Sequence, residues 1–410
     1  LVEKLNSNDS KIYRSVKIRL LPTKEQEVLF WKSVGVARWS YNFFLGYNQE
    51  KYKEWLEDNT KERFVSEGEV RKYINNVLKK TTHTWLKDVG SNVMKQGVKD
   101  ANIALQRFFK HNKGYPKFKS KKHSKPSFYV NYETMKRLPN GFRGEKIGVV
   151  KTRESLPEIG KNQKYLRPRI TYDGKFWFLS LGYEVKKIDV SLSDTKLGID
   201  LGIKELAVIS NQSGTKIKKY HNINKTCEVK RLEKKLKREQ RKFSRKILMN
   251  TSHYIGNDRP IYSKALELCK NIQKQKGIIQ RLYRRILNIR TNYLHQITTE
   301  IVKTKPSRIV LEDLNVSGMM KNRHLSNSLM CQKLYEFRRQ IEYKAELYGI
   351  EVVIADRFYP SSKTCHKCGS VKKDLKLSDR VYRCDCCGNV VDRDVNASIN
   401  LANYNIERIN

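Results

Sequence analysis

The sequence predicts an α/β protein of several domains, and three observations carry that prediction. Strand patterns stand before and after a long helical stretch in the first half of the chain. KLGID, LAVIS and TKIKKY, within 195–220, read as three short strands joined by turns at 202–205 and 211–214. After them, apolar strands alternate with amphipathic helices to the end of the chain. A chain of 410 residues has room for roughly two to four domains.

The first half opens on VKIRLL (16–21), whose alternation is that of a half-buried strand. Pro22-Thr23 ends it, and Thr23 with Gln26 makes a capping box that starts a helix. Val34, Ala37, Tyr41, Phe44, Leu45, Tyr52 and Trp55 then recur at helical spacing, as a stripe facing a core, and helical patterning runs on through ALQRFFK (104–110). From Lys110 to Lys125 seven lysines interleave with Tyr115, Phe118, Gly114 and Pro116. An extended basic strip with ring surfaces suits an RNA backbone. Lys113, Tyr115, Lys117, Phe118, Lys119, Lys121 and Lys122 are therefore candidate nucleic-acid contacts. Residues 128–190 are β-rich, with tight-turn signals at Asn140-Gly141 and Asp173-Gly174 and a hairpin expected over 169–185.

In the second half, the three-strand meander leads into two long basic helices. Leu232, Leu236, Phe243 and Ile247 share a face of the first, and Leu282, Ile286, Ile289, Tyr293 and Ile297 a face of the second. Residues 230–246 hold ten Lys/Arg and two Glu, a repulsive density that points to a phosphate-facing surface. Strand RIVL (308–311), a helix near 329–348, strand EVVIA (351–355), a cysteine segment (365–387) and a short helix from about Val395 to Asn403 complete the chain. This order is that of an RNase H-like fold.

Lys+Arg number 84 against 42 Asp+Glu, a formal net charge of +42, which implies a polyanionic partner because each cation on a phosphate releases condensed counterions. A membrane is the other polyanion to weigh. The chain has no run of about eighteen apolar residues, and the opening LVEKLNSNDS lacks the pattern of a signal peptide. Five of the eight cysteines fall within 365–387 and the other three, Cys227, Cys269 and Cys331, stand alone. This is the distribution of a metal site in a reducing cytoplasm rather than of a disulfide framework.

Three acidic residues stand at the edges of apolar elements: Asp200 in LGIDLGI, Glu312 in IVLEDLN and Asp394 in DRDVNAS. In an RNase H-like sheet the first strand and the later parallel strand are neighbours and the last helix packs across them, so the three converge. Such carboxylates suit two Mg²⁺ ions about 3.5–4 Å apart, clamping a scissile phosphate. Gly198 and Gly202, flanking Asp200, are expected to let a phosphate backbone come close. Asp313 and Asp392 compete for the assignment. Alternation along the strand turns Asp313 away from Glu312, and Asp394 precedes the small, helix-compatible stretch Asn396-Ala397-Ser398. Cys365-x₂-Cys368-x₁₅-Cys384-x₂-Cys387 has the spacing of a closed, structural Zn²⁺ site, with Gly369 and Gly388 ending its two knuckle turns and Cys386 and His366 as bystanders.

Taken together, LGIDLGIKELAVIS, IVLEDLNVSGMMKN, FRRQIEYKAELYGIEVVIADRFYPSSKTCHKCG and YRCDCCGNVVDRDVNASINLANY closely resemble the TnpB family, RNA-guided nucleases of bacterial and archaeal insertion sequences related to type V CRISPR effectors. The similarity is dense over about 195–405 and looser over YRSVKIRLLPTKEQ and FFKHNKGYPKFKSKK. Ser398, where the family often has Ala, and the extra thiol of Cys386 are small departures.

The resemblance implies a RuvC nuclease domain at 193–362 and 390–410, with a zinc ribbon inserted at 363–389. It also implies a β-barrel wedge domain at 1–26 and 128–192, holding a helical recognition insertion at 27–127. Asp200, Glu312 and Asp394 fall on the family's catalytic carboxylates, and the four cysteines on its zinc ligands. The implied partners are a guide RNA from the transposon end and double-stranded DNA carrying an adjacent motif, both held by a monomer in the cytoplasm. A non-cutting RNA-guided repressor and a protein-only DNA transposase are the alternatives.

Overall fold

A computed structural model describes residues 11–111, 114–256, 259–376 and 379–405. It divides into two units, Leu1–Val185 and Lys186–Asn410. The division falls ahead of the predicted boundary at 192/193, because the last strand of the first unit ends at Val185 and the Ile188 amide already donates to the Leu347 carbonyl of the second (2.8 Å). Residues 1–10 lie outside the described residues.

In the first unit, β1 (Ile12–Leu21) buries Ile12, Ile18 and Leu20. The capping box then forms as expected: Thr23 Oγ1 accepts from the Gln26 amide at 3.3 Å and Gln26 Oε1 from the Thr23 amide at 3.1 Å. It starts α1 (Lys24–Glu57), followed by α2 (Glu67–Tyr73) and α3 (Ser91–His111). Helices α1 and α3 pack closely because position 97 is glycine, where any Cβ would collide with the Ser40 hydroxyl. Next come β2 (Ser127–Tyr129), β3 (Lys136–Leu138), β4 (Gly141–Gly144), β5 (Gly148–Thr152), β6 (Leu166–Tyr172) and β7 (Trp177–Val185). They join β1 in a seven-stranded sheet of order β2-β6-β7-β1-β5-β4-β3. The β6–β7 hairpin turns at Gly174, whose φ of 95° a side chain would resist. Phe30 of α1 meets Phe128 and Trp177 of the sheet at ring distances of 5.6 and 5.1 Å, joining helices and sheet in one core.

The second unit is built on a five-stranded sheet of order β10-β9-β8-β13-β14. Strands β8 (Ser193–Leu201), β9 (Glu205–Asn211) and β10 (Ile217–His221) form the antiparallel meander. Helix α4 (Cys227–Met249), a β11–β12 hairpin (Thr251–Ile255, Arg259–Tyr262) and α5 (Lys270–Lys303) separate it from β13 (Pro306–Glu312). The hairpin was not foreseen in the sequence. Strand β13 runs parallel to both β8 and β14 (Glu351–Ala355). Between them lie α6 (Val316–Met319), α7 (Arg323–Gln332) and α8 (Leu334–Leu347). The single helix expected near 329–348 is thus two, broken where Lys333 adopts φ 56° and ψ 44°. A two-stranded ladder, β15 (Val381–Arg383) with β16 (Val390–Asp392), then leads into α9 (Arg393–Ala402).

Strand alternation sorts the sheet's two faces. Leu197, Ile199 and Leu201 of β8, with Ile309 and Leu311 of β13, pack against Leu294, Ile297 and Ile301 of α5 and Phe337 and Ile341 of α8. The intervening residues face α9: Val310 packs with Leu401 and Tyr404, and Val208 of β9 with Val395 and Ile399. This is the RNase H-like arrangement, and it places the ends of β8 and β13 beside the start of α9.

Candidate active site and metal centre

Asp200 and Glu312 occupy α9-facing positions on adjacent parallel strands. The register pairs Leu311 with Ile199, so Glu312 and Asp200 are the next residues along each. Helix α9 lies so close to β8 that a Cβ on Gly198 would collide with the backbone of Ser398 and Ala402. Asp394 precedes Ser398 by one helical turn, about 6 Å of rise. Asp200 lies two residues beyond Gly198, a similar distance of about 6.5 Å along the strand. The three carboxylates therefore gather at one end of the α9 face. The expectation that Gly198 and Gly202 admit a phosphate backbone is corrected: Gly198 admits α9, and a Cβ on Gly202 would press against the Glu205 carbonyl 3.2 Å away within the β8–β9 turn.

The electrostatics show how poorly this cluster holds its own charge. Burial, then Glu312, then Asp394 push the Asp200 carboxyl well above the usual range, with Arg393 opposing. Burial also raises Glu312, again against Arg393. Arg393 Nε lies 3.8 Å from one Asp394 oxygen and Arg380 Nη1 4.0 Å from the other. These two arginines were not singled out in the sequence, although Arg393 sits inside the DRD motif. The competing acids are already engaged. Asp313 pairs with Arg338 at 3.4 Å and Arg357 at 2.6 Å. Asp392 caps α9 through the amides of Asp394 and Val395 and pairs with Lys219 at 2.7 Å. Half-buried carboxylates that their arginines only partly offset call for a cation. Carboxylates flanking two ions about 3.5–4 Å apart need not touch one another.

The four cysteines make a compact donor set: the sulfurs of Cys365, Cys368, Cys384 and Cys387 all lie within 4.8 Å of one another. Cys365 and Cys387 are 3.7 Å apart and Cys368 and Cys384 3.5 Å, close to the roughly 3.8 Å edge of a tetrahedron with metal–sulfur bonds of about 2.3 Å. Gly369 and Gly388 end the knuckles at φ 75° and 68°. The Ser370 hydroxyl and the amide of Cys387 favour the Cys384 thiolate, lowering its pKa to about 6. Cys386 is exposed, its thiol is pushed up chiefly by the charge of Cys368, and it lies outside the quartet of sulfurs within 4.8 Å of one another. His366 turns to α9, donating from its amide (3.1 Å) and Nδ1 (3.0 Å) to Asn396 Oδ1.

The basic strip divides. Tyr115, Lys117, Phe118, Lys121 and Lys122 are exposed, and Lys113 lies outside the described residues. Lys119, half-buried, is turned inward instead. Asn42 clamps its amide (2.7 Å) and its carbonyl (2.8 Å), its ammonium sits 3.7 Å from the centre of the Tyr41 ring, and burial lowers its pKa. In the second unit, Lys237, Gln240, Arg241, Ser244 and Arg245 of α4 line an open groove of about 450 Å³.

Fold and site together define an RNase H-like protein carrying a thiolate knuckle beside clustered carboxylates. Family models match in three segments: "Probable transposase" (OrfB_IS605) over 180–323, "Cas12f1-like, TNB domain" over 335–401, and "Helix-turn-helix domain" (HTH_OrfB_IS605) over 12–56. In these segments the chain is similar to the TnpB/IS605 family. In the last of these segments the structure holds one strand and one continuous helix, with no turn between two helices. Two bacterial proteins named "Putative RNA-guided DNA endonuclease" are similar over nearly the whole chain. The one from Streptomyces pristinaespiralis is 29% identical over 398 residues, covering 95% of this chain and 89% of that protein. The other, InsQ of Escherichia coli (strain K12), is 29% identical over 417 residues, covering 95% and 92%. A solved Cas12f1–sgRNA–target DNA complex matches in fold, with a TM-score of 0.55 at 14% identity, covering 97% of this chain and 99% of that one. Among the described residues, no helix is long and apolar enough to cross a membrane.

Proposed function

We propose that this chain is an RNA-guided DNA endonuclease that uses Asp200, Glu312 and Asp394 as its single catalytic set. The observation that carries the reading is the gathering of these three acids, poorly compensated, at the α9 end of an RNase H-like sheet. Relatives named for this activity over the same length of chain support it. Asp200, Glu312 and Asp394 would hold two Mg²⁺ ions, which when bound supply Lewis-acid stabilisation of the scissile phosphate and of the attacking and leaving oxygens. The chain's own residues fix the carboxylates on two strands and a helix, and Arg393 and Arg380 lend positive charge beside Asp394. Cys365, Cys368, Cys384 and Cys387 would hold one structural Zn²⁺.

In this reading residues 193–362 and 390–410 form the RuvC nuclease domain and 363–389 its zinc ribbon. Residues 1–26 and 128–192 form a wedge barrel around a helical recognition segment at 27–127. Guide RNA and heteroduplex are gripped by shape and backbone, while base pairing supplies sequence. Tyr115, Lys117, Phe118, Lys121 and Lys122, with the basic face of α4, are the surfaces offered to nucleic acid. The protein recognises an adjacent DNA motif, works as a monomer with its RNA, and acts in the cytoplasm. A non-cutting repressor is disfavoured because all three acids are present.

The test is to express the gene with its native downstream DNA, sequence the RNA that co-purifies, and challenge the complex with a target library in Mg²⁺. One RNA species ending in a variable guide, with cleavage beside a fixed motif, is the expected result. Guided binding without cleavage would favour the repressor, and strand joining without RNA the transposase.

A further inference from the structure

Helix α9 is buried on both sides, and its two sides do different things. At 3.6 residues per turn, Asp394, Ser398 and Leu401 share the side against the sheet, while Asn396 and Asn400 share roughly the opposite side. Both amides are buried, where leaving one unpaired is costly. Both are satisfied by the stretch that leads into the first knuckle. Asn396 Nδ2 donates to the Thr364 carbonyl at 2.7 Å, and its Oδ1 accepts from the His366 amide and Nδ1. Asn400 Nδ2 donates to the carbonyls of Ser361 and Thr364, both at 2.7 Å. Tyr359 completes the seat by donating to the Asn400 carbonyl at 3.2 Å. Thr364 and His366 flank Cys365, a member of the thiolate quartet. The first knuckle is therefore fastened to the back of the helix whose front carries Asp394.

We propose that Asn396 and Asn400 are positioning residues that couple the thiolate metal site to the carboxylate site. Closing the knuckle around its metal fixes Thr364 and His366, these fix α9, and α9 sets Asp394 against Asp200 and Glu312. The proposal rests on the reading of the three acids as divalent-ion ligands. Coupling between two binding sites is reciprocal: magnesium at the acids tightens zinc at the thiolates by the same factor that zinc tightens magnesium.

The experiment uses the full chain without nucleic acid. Zinc affinity is measured by equilibrium competition with a zinc-selective chelator, with and without saturating Mg²⁺, and Mn²⁺ binding is measured by EPR. In the wild type, Mg²⁺ is expected to tighten zinc about fivefold or more. In Asn396→Leu and Asn400→Leu one zinc stays bound, the Mg²⁺ effect disappears, and Mn²⁺ affinity falls by the factor lost. Asn403→Ala is the control, since Asn403 bonds the Gln212 carbonyl rather than the knuckle (2.9 Å). Should Asn396→Leu fail to fold, Asn396→Asp keeps the acceptor for His366 and removes the donor to Thr364, and a partial loss of coupling is expected. Full retention of the Mg²⁺ effect in the asparagine variants overturns the coupling. A wild type that binds no Mn²⁺, or an Asp200→Ala variant that binds it as well as wild type, overturns instead the carboxylate site on which the proposal stands.

Discussion

The two faces of the five-stranded sheet bury polar groups in opposite ways. On the α5/α8 face, Lys344 is buried but donates to the His295 carbonyl (3.0 Å), Thr298 Oγ1 (2.6 Å) and Thr299 Oγ1 (2.8 Å). Gln340, fully buried, accepts from the Thr298 hydroxyl at 2.9 Å and donates to Glu336 at 2.9 Å. Every ammonium proton there has an oxygen. On the α9 face, burial, Glu312 and Asp394 raise Asp200, burial raises Glu312, and Arg393 only partly offsets both. The first arrangement is complete without a ligand. The second is complete only with cations, and that separates a packed polar network from a functional one.

The sharpest way to break the comparison is to empty the second face. Asp200→Ala is expected to lower single-turnover cleavage by about 10³-fold, within the range for losing a principal transition-state stabiliser, while guided DNA binding holds within about twofold. Cleavage near the wild-type rate would remove Asp200 from the site. Cys384→Ser ranks next. Metal analysis should show zinc lost from the purified protein, with α9 exchanging its amides faster in hydrogen exchange. One zinc retained per chain would overturn the ligand assignment.

Lys344→Met tests the opposite face. It strands the oxygens of His295, Thr298 and Thr299 and should destabilise the unit by about 1–3 kcal/mol in urea, with cleavage per folded molecule unchanged. A changed dependence on Mg²⁺ would mean that the two faces are not independent.

A smaller effect concerns pH. The folded chain raises Asp200 above its unfolded value, so its contribution to stability is present at low pH and lost as pH rises through the folded pKa. In magnesium-free buffer, Asp200→Asn should therefore raise Tm by a few degrees, corresponding to roughly 1–2 kcal/mol, with the gain growing toward high pH. Added Mg²⁺ should erase the difference by stabilising the wild type. A variant that melts below the wild type at high pH without magnesium would contradict the electrostatic account.

Much of this was legible in the sequence because it rests on local rules. The Thr23/Gln26 capping box, the Asp173-Gly174 turn, the paired knuckles and the apolar strands ending in acids each show in a few consecutive residues. What was not legible depends on tertiary neighbours. Gly198 looked like a ligand-facing glycine, yet the atoms it admits belong to α9, two hundred residues on. Lys119 looks like its neighbours in the basic strip, yet unlike them it is held by Asn42 and Tyr41. The break at Lys333 needs a left-handed lysine, which no propensity would propose. Asn396 and Asn400 read as ordinary helix residues because their partners, Ser361, Thr364 and His366, lie some thirty to forty residues earlier.

The finest test concerns Ser398, where the family often has Ala. Its hydroxyl lies 2.6 Å from that of Ser210 on β9 and donates to the Val395 carbonyl at 2.8 Å, so Ser210 is the donor between the two. Both side chains are fully buried. Ser398→Ala leaves the Ser210 hydroxyl to find a new acceptor and should cost about 1 kcal/mol. Ser210→Ala with Ser398→Ala removes both partners and should recover most of it, a recovery that a double-mutant cycle in urea measures directly. Mn²⁺ affinity at the carboxylates should not move in either variant, because Gly198 already sets how closely α9 approaches β8. A fall in that affinity with Ser398→Ala alone would mean that the serine pair, rather than the glycine, holds Asp394 in register with Asp200.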